Sequence, residues 1–116
     1  MTTMKPRNAL LGAPPYEVQC AVKKLGADLR TARLRRNLTA GEVAERIGTS
    51  RFAVADAERG KPSTGVAVYA ALLWVYGLAG RLADAADPGA DQEGARLALL
   101  RTPLRARQRK TLGDDF

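Results

Sequence analysis

The residues with the most readable chemistry stand together near the middle of the chain, at Ser50-Arg51-Phe52 and at Ala55, Asp56, Arg59 and Lys61. An arginine fork matches the O6 and N7 acceptors of guanine, and an aromatic ring can pack on a thymine methyl group. A serine hydroxyl can cap a helix and lie beside a phosphate held by that helix's free N–H groups. Arg59 and Lys61 flank a loop and are natural phosphate neighbours, although a solvated loop explains them equally well. Asp56 is an acid among these cations. It repels phosphate unless it accepts from cytosine or pairs with Arg59. A second basic group, Arg30, Arg33, Arg35 and Arg36, has only Asp28 as a nearby acid. Positive charge suits a helix C-terminus, but four such residues exceed what that end needs. Phosphate contact is therefore expected of one or two of them, with Arg35 and Arg36 as the candidates.

These side chains need elements to position them. Between Leu38 and Gly60 the chain reads LTAGEVAERIGTSRFAVADAERG. Ala44, Ile47, Val54 and Ala57 form an apolar stripe that crosses the break at Gly48-Thr49-Ser50. Two short helices sharing one buried seam over a glycine-containing turn make a helix-turn-helix pattern. Thr39 with Glu42 forms a capping box for the first helix, and Gly48 ends it. Ser50 caps the second, which closes near Arg59-Gly60. Upstream, Val18, Val22, Leu25, Leu29 and Ala32 recur every three or four residues, which predicts a helix from about Pro15 to Arg36. Gly26 in that helix marks either a bend or a late start, and Asn37 suits a left-handed terminus. Downstream, Ser63 or Thr64 is expected to cap a fourth helix with Val66, Ala70, Leu73 and Trp74 inside. Tyr69, Trp74 and Tyr76 on the same helix read as core or self-association residues. Gly77 interrupts the pattern, and a fifth short helix is expected through Leu78, Leu82 and Ala85. Glu58 is expected to reach back to Arg33 or Arg30.

The fold class expected is all-α: a five-helix domain over 16–86 preceded by a flexible arm over 1–15. A short helical extension over 87–102 and a disordered tail over 103–116 are expected to follow. The chain has 116 residues and a formal net charge of +7, which suits a polyanionic partner. From Lys23 to Lys61 ten basic residues face five acids, whereas from Arg81 to Glu93 four acids face one arginine. The absence of histidine removes Ser-His and Cys-His catalysis and imidazole metal sites. Cys20 stands alone, which excludes an internal disulfide and suggests a small buried or half-buried apolar residue. No enzyme activity, cofactor or metal is expected. The start of the chain has no signal-peptide core, and the uncharged run from Thr64 to Gly80 is short for a span and broken by glycines. A cytoplasmic protein is expected.

From Leu25 to about Leu78 the chain resembles the Cro/Xre-type helix-turn-helix regulators, the lambda-repressor-like domain. The resemblance rests on LGADLRTARLRRNLT, EVAERIGTS, the AERGKPS segment and a helix start after Ser63. It implies a sequence-specific DNA-binding regulator, a repressor acting as a homodimer on double-stranded DNA. The DNA-contacting residues implied by motif and chemistry together are Thr39, Ser50, Arg51, Phe52, Ala55, Asp56, Arg59, Lys61, Arg35 and Arg36. Where the family carries a phosphate-contacting glutamine, this chain has Ala40. The layout, with a basic tail ending Gly113-Asp114-Asp115-Phe116, also resembles the HipB-like antitoxins. Those proteins partner HipA-like Ser/Thr kinase toxins and repress their own operon. On that likeness Asp114, Asp115 and Phe116 are expected to dock on a protein partner. The alternative reading is a protein-interaction adaptor on the same fold.

Overall fold

A computed structural model describes residues 8–101, and every regular element among them is helical. What the sequence leads one to expect of residues 1–7 and 102–116, Asp114, Asp115 and Phe116 included, lies outside the described residues. The chain separates into two compact units, one ending at Leu82 and one beginning at Ala83.

In the first unit, α1 (Ala9–Gly12) is a single turn capped by the Asn8 side chain, within the segment expected to be irregular. α2 (Tyr16–Arg35) buries Gly26, Leu29 and Ala32, with Val22 and Leu25 packed at the margin. That face follows the expected spacing, but it starts at Val22, because Val18 is exposed. Cys20 is exposed as well, contrary to expectation: it lies on the solvent side of this helix. Gly26 does not start α2, which runs through it from Tyr16. A Cβ at Gly26 would lie 2.7 Å from the Glu58 carbonyl oxygen and 2.8 Å from the Gly60 nitrogen, and nearer still to the Ala57 carbonyl. The glycine lets α2 touch the end of α4 backbone to backbone.

Asn37 adopts φ 55° after the last turn of α2, and the Leu38 N–H bonds back to the Arg33 carbonyl. This left-handed stop releases the chain into α3 (Ala40–Ile47). Thr39 Oγ1 accepts from the Glu42 N–H at 3.0 Å, and Glu42 Oε1 accepts from the Thr39 N–H at 2.8 Å. Those bonds, led by the one from the Thr39 backbone, hold the Glu42 carboxyl below its ordinary value. Gly48 at φ 79° ends α3, and both its N–H and that of Thr49 donate to the Ala44 carbonyl. Ser50 then caps α4 (Arg51–Glu58) by accepting from the Ala53 N–H at 3.1 Å.

Lys61 to Thr64 forms its own turn, closed by the Thr64 N–H on the Lys61 carbonyl. α5 (Val66–Val75) therefore starts later than expected, with Gly65 rather than Ser63 or Thr64 at its cap. It buries Tyr69, Leu72 and Leu73, whereas Val66 and Trp74 are 69% and 64% exposed. Val66 and Trp74 thus face away from the core, contrary to the expectation that they lie inside. α5 is apolar on every side, so its sequence alone does not mark the buried stripe. Gly77 at φ 77° closes α5 before α6 (Ala79–Ala83).

The core joins Leu29 and Ala32 of α2, Val43 and Ala44 of α3, and Val54 and Ala57 of α4. Tyr69, Leu72 and Leu73 of α5 complete it, with Tyr76 just beyond. α4 packs on α2, α3 and α5. One side of it is thereby fixed and the other is left for function. In the second unit a 3₁₀ turn (Pro88–Ala90) precedes a helix over 92–101, whose first turn is capped by Asp91 accepting from the Gly94 N–H.

Candidate nucleic-acid interface

The buried side of α4 decides what its other side presents. Val54 and Ala57 are fully buried. Positions 51, 52, 55, 56 and 59 consequently lie along the opposite flank, at helical spacings of one, three and four. Arg51 and Phe52 are exposed in the first turn, Ala55 and Asp56 are half-buried, and Arg59 is exposed at the end. Phe52 retains 70% of its exposure, high for a large aromatic residue in a folded domain. The Arg51 guanidinium stands 5.5 Å from the centre of the Phe52 ring. Such a surface cation–π contact contributes about 0.5–1 kcal/mol. It helps offset the cost of a cation at the positive end of a helix. It also presents a flat charged group and a flat ring side by side.

Asp56 does pair with Arg59, and its other carboxylate oxygen lies 3.7 Å from the Lys61 ammonium. The backbone reinforces this arrangement, since the Lys61 N–H donates to the Asp56 carbonyl at 3.0 Å. Tyr69 fixes the loop from the other side by donating its hydroxyl to the Lys61 carbonyl at 3.2 Å. Burial pushes the Tyr69 hydroxyl above its ordinary value, so it stays a donor. Gly60 at φ 69° completes the loop, where a Cβ would lie 2.5 Å from the Lys23 Cα. Tyr69 and Gly60 position the two loop cations. No local sequence signal marks them for that task, because their partners are distant in the chain.

Behind α4, Glu58 reaches back to Arg33 and not to Arg30. Arg33 Nε and Nη2 donate to the two Glu58 oxygens at 2.7 and 3.0 Å, and Nη1 donates to the Leu38 carbonyl at 3.0 Å. The side chains are only 12% and 7% exposed. The Glu58 hydrogen bond holds the Arg33 guanidinium above its ordinary value despite burial, so its charge persists throughout the working pH range. The pair locks α4 to α2 and to the start of the α2–α3 loop.

The remaining expected contacts divide. Arg35 is exposed at the end of α2. Arg36 is engaged within the fold: it donates to the Ala32 carbonyl at 2.9 Å and the Tyr76 carbonyl at 3.0 Å, and stacks 5.4 Å from the Tyr76 ring centre. Those bonds tie the ends of α2 and α5 together. Thr39 and Ser50 both act as helix caps, and each leaves a helix N-terminus at the surface. Among the described residues no cluster of acids, cysteines or histidines could hold a metal ion, and no helix is long and apolar enough to cross a membrane.

Comparison with known proteins matches residues 24–86, more than half of the chain, to the helix-turn-helix domain. The match takes in α3, the Gly48 turn and α4, together with the helices that brace them. No curated protein and no solved structure gives a match.

Proposed function

The chain belongs to the helix-turn-helix domain family, and we propose that it is a sequence-specific regulator that reads double-stranded DNA with α4. The observation that carries the reading is the exposed pair Arg51–Phe52, set on the first turn of a helix whose opposite side is locked into the core. The N-terminal residues of the second helix of this motif are the ones that reach base edges in the major groove. Arg35, Arg59 and Lys61 supply phosphate contacts, which give affinity and register without base choice. One short helix reads too few bases for a useful site, so the regulator acts as a homodimer on a two-part operator. The exposed Val66 and Trp74 on α5 suit that self-association. Repression follows where such a site overlaps a promoter. The finer likeness to Cro/Xre regulators supports this reading through the Leu38-Thr39, Gly48-Thr49-Ser50 and Glu58-Arg59-Gly60 motifs.

The test is binding-site selection from random duplexes, followed by titration of the selected duplex. Arg51→Ala is expected to cost about 1–3 kcal/mol of specific binding and to relax base choice at one position. A variant that binds the selected duplex with wild-type affinity and base preference would remove α4 as the reader.

The antitoxin role rests on the layout of the chain and on its Asp114-Asp115-Phe116 end. In that role the partner is a HipA-like kinase, Phe116 enters an apolar pocket, and the two acids meet basic groups at its rim. Deleting Gly113 to Phe116 is then expected to weaken capture of a HipA-like kinase while leaving DNA binding intact. Equal capture by both chains removes the docking role.

A further inference from the structure

The least expected group on the flank of α4 is Asp56. Its carboxylate contacts the Arg59 guanidinium and lies 3.7 Å from the Lys61 ammonium, at the edge of the surface that presents Arg51 and Phe52. The Asp56 side chain keeps 30% of its exposure, and Arg59 and Lys61 keep 67% and 54%. The three groups thus form a charge cluster that solvent, or a polyanion, can enter. The loop that carries the two cations is held by the Tyr69 hydroxyl, by the Lys61 N–H on the Asp56 carbonyl, and by the backbone contact of Gly60 with α2. These contacts hold the loop backbone beside Asp56, so a change of side-chain rotamer is the simplest way for the pairs to part.

We propose that Asp56 acts as an internal stand-in for a DNA phosphate, a specificity-determining residue that holds Arg59 and Lys61 until the correct duplex displaces it. This deepens the DNA-binding reading and rests on it. A phosphate approaching the loop meets two cations already paired, so phosphate contact alone gains little. A sequence that also satisfies Arg51 and Phe52 brings the backbone close enough, for long enough, to exchange the carboxylate for phosphate oxygens. Surface pairs of this kind are weak and screened by salt. They can be exchanged, yet they still subtract from generic affinity. Asp56 thereby lowers binding to random sequence more than binding to the operator, and it is the ratio of those two affinities that matters among many competing sites.

The experiment measures the affinity of the full chain for a random-sequence duplex across a salt series. It compares wild type, Asp56→Asn, Arg59→Ala with Lys61→Ala, and the triple variant. Asparagine keeps the shape of Asp56 and removes its charge. Asp56→Asn is expected to bind the random duplex roughly threefold to tenfold tighter at low salt. Its slope of log affinity against log salt is expected to steepen by about 0.9 for each cation newly meeting a phosphate. In the variant lacking both cations, the same Asp56→Asn change is expected to leave the slope where it was. An Asp56→Asn gain that is equal with and without Arg59 and Lys61 reports simple loss of repulsion and overturns the stand-in role. So does an unchanged slope in the single variant. Failure of every chain to bind the duplex even at low salt is a different result, and it overturns the DNA-binding reading itself.

Discussion

Removing the Glu58 carboxylate is expected to cost about 3 kcal/mol of stability, the lower end of the range for a buried pair, because Glu58→Ala leaves the largely covered Arg33 guanidinium without its counter-charge. Two hydrogen bonds go with it, those from Arg33 Nε and Nη2. Arg33 retains only its bond to the Leu38 carbonyl. Glu58→Gln keeps the shape and one acceptor oxygen but not the charge, so it is expected to fall between wild type and Glu58→Ala. The decisive comparison is Arg33→Met combined with Glu58→Leu. Replacing both ions with apolar groups removes the unpaired charge, so the double variant is expected to recover much of the loss. Recovery stays incomplete, because the Leu38 carbonyl loses its donor as well. Urea unfolding of the three variants measures this. A loss below about 1 kcal/mol in Glu58→Ala would show that the pair is solvated and exchangeable, like an ordinary surface bridge. The consequence for DNA is mechanical: Glu58 is one of the residues that fasten the end of α4 to α2, beside the backbone contact at Gly26, so its loss loosens the helix that presents Arg51 and Phe52.

The parts legible in the sequence are those whose causes lie close together along it. The capping box at Thr39 and Glu42, the Gly48 turn, the Ser50 cap and the left-handed Asn37 each need partners only a few residues away, and each stands as its local spacing implied. The seam of Ala44, Val54 and Ala57 was legible for a related reason, since amphipathic helices state which side is buried. α5 carries no such statement. It is apolar all round, so Trp74 and Tyr69 look alike in the sequence, yet one is exposed and the other is core. The capture of Arg36 by the Tyr76 carbonyl spans 40 positions and leaves no trace in either neighbourhood. On the candidate DNA surface, residue types announced a charged and aromatic flank. The Asp56–Arg59 pair is legible too, because the two stand three positions apart. The approach of Lys61 depends instead on the loop conformation, which Gly60 and Tyr69 set through partners distant in the chain.

Gly26 carries the second large effect, and its sign separates two explanations. By helix propensity alone, alanine in the interior of α2 is favoured over glycine by about 1 kcal/mol. By packing, the new methyl group meets three backbone atoms of α4 and its loop: the carbonyls of Ala57 and Glu58 and the nitrogen of Gly60. Backbone cannot turn aside as a side chain does, so α2 and the end of α4 must separate. Overpacking of this kind costs about 1–3 kcal/mol, occasionally more. Gly26→Ala is therefore expected to destabilise despite the better propensity. Gly41 is the internal control. It sits in α3 at a position where a Cβ meets only the Thr39 hydroxyl, at 3.9 Å. Gly41→Ala is expected to be neutral or stabilising by up to about 1 kcal/mol. Thermal unfolding of the two variants should then move in opposite directions, by several degrees for Gly26→Ala in a domain of this size. The Gly26 change also acts on function, because it prises apart the same contact that sets Gly60 against Lys23 and so fixes the Arg59–Lys61 loop. At temperatures where Gly26→Ala remains folded, it is expected to weaken DNA binding, whereas Gly41→Ala leaves it unchanged. A rise in melting temperature on Gly26→Ala would mean that α2 and α4 do not meet backbone to backbone, and that the glycine serves no packing role.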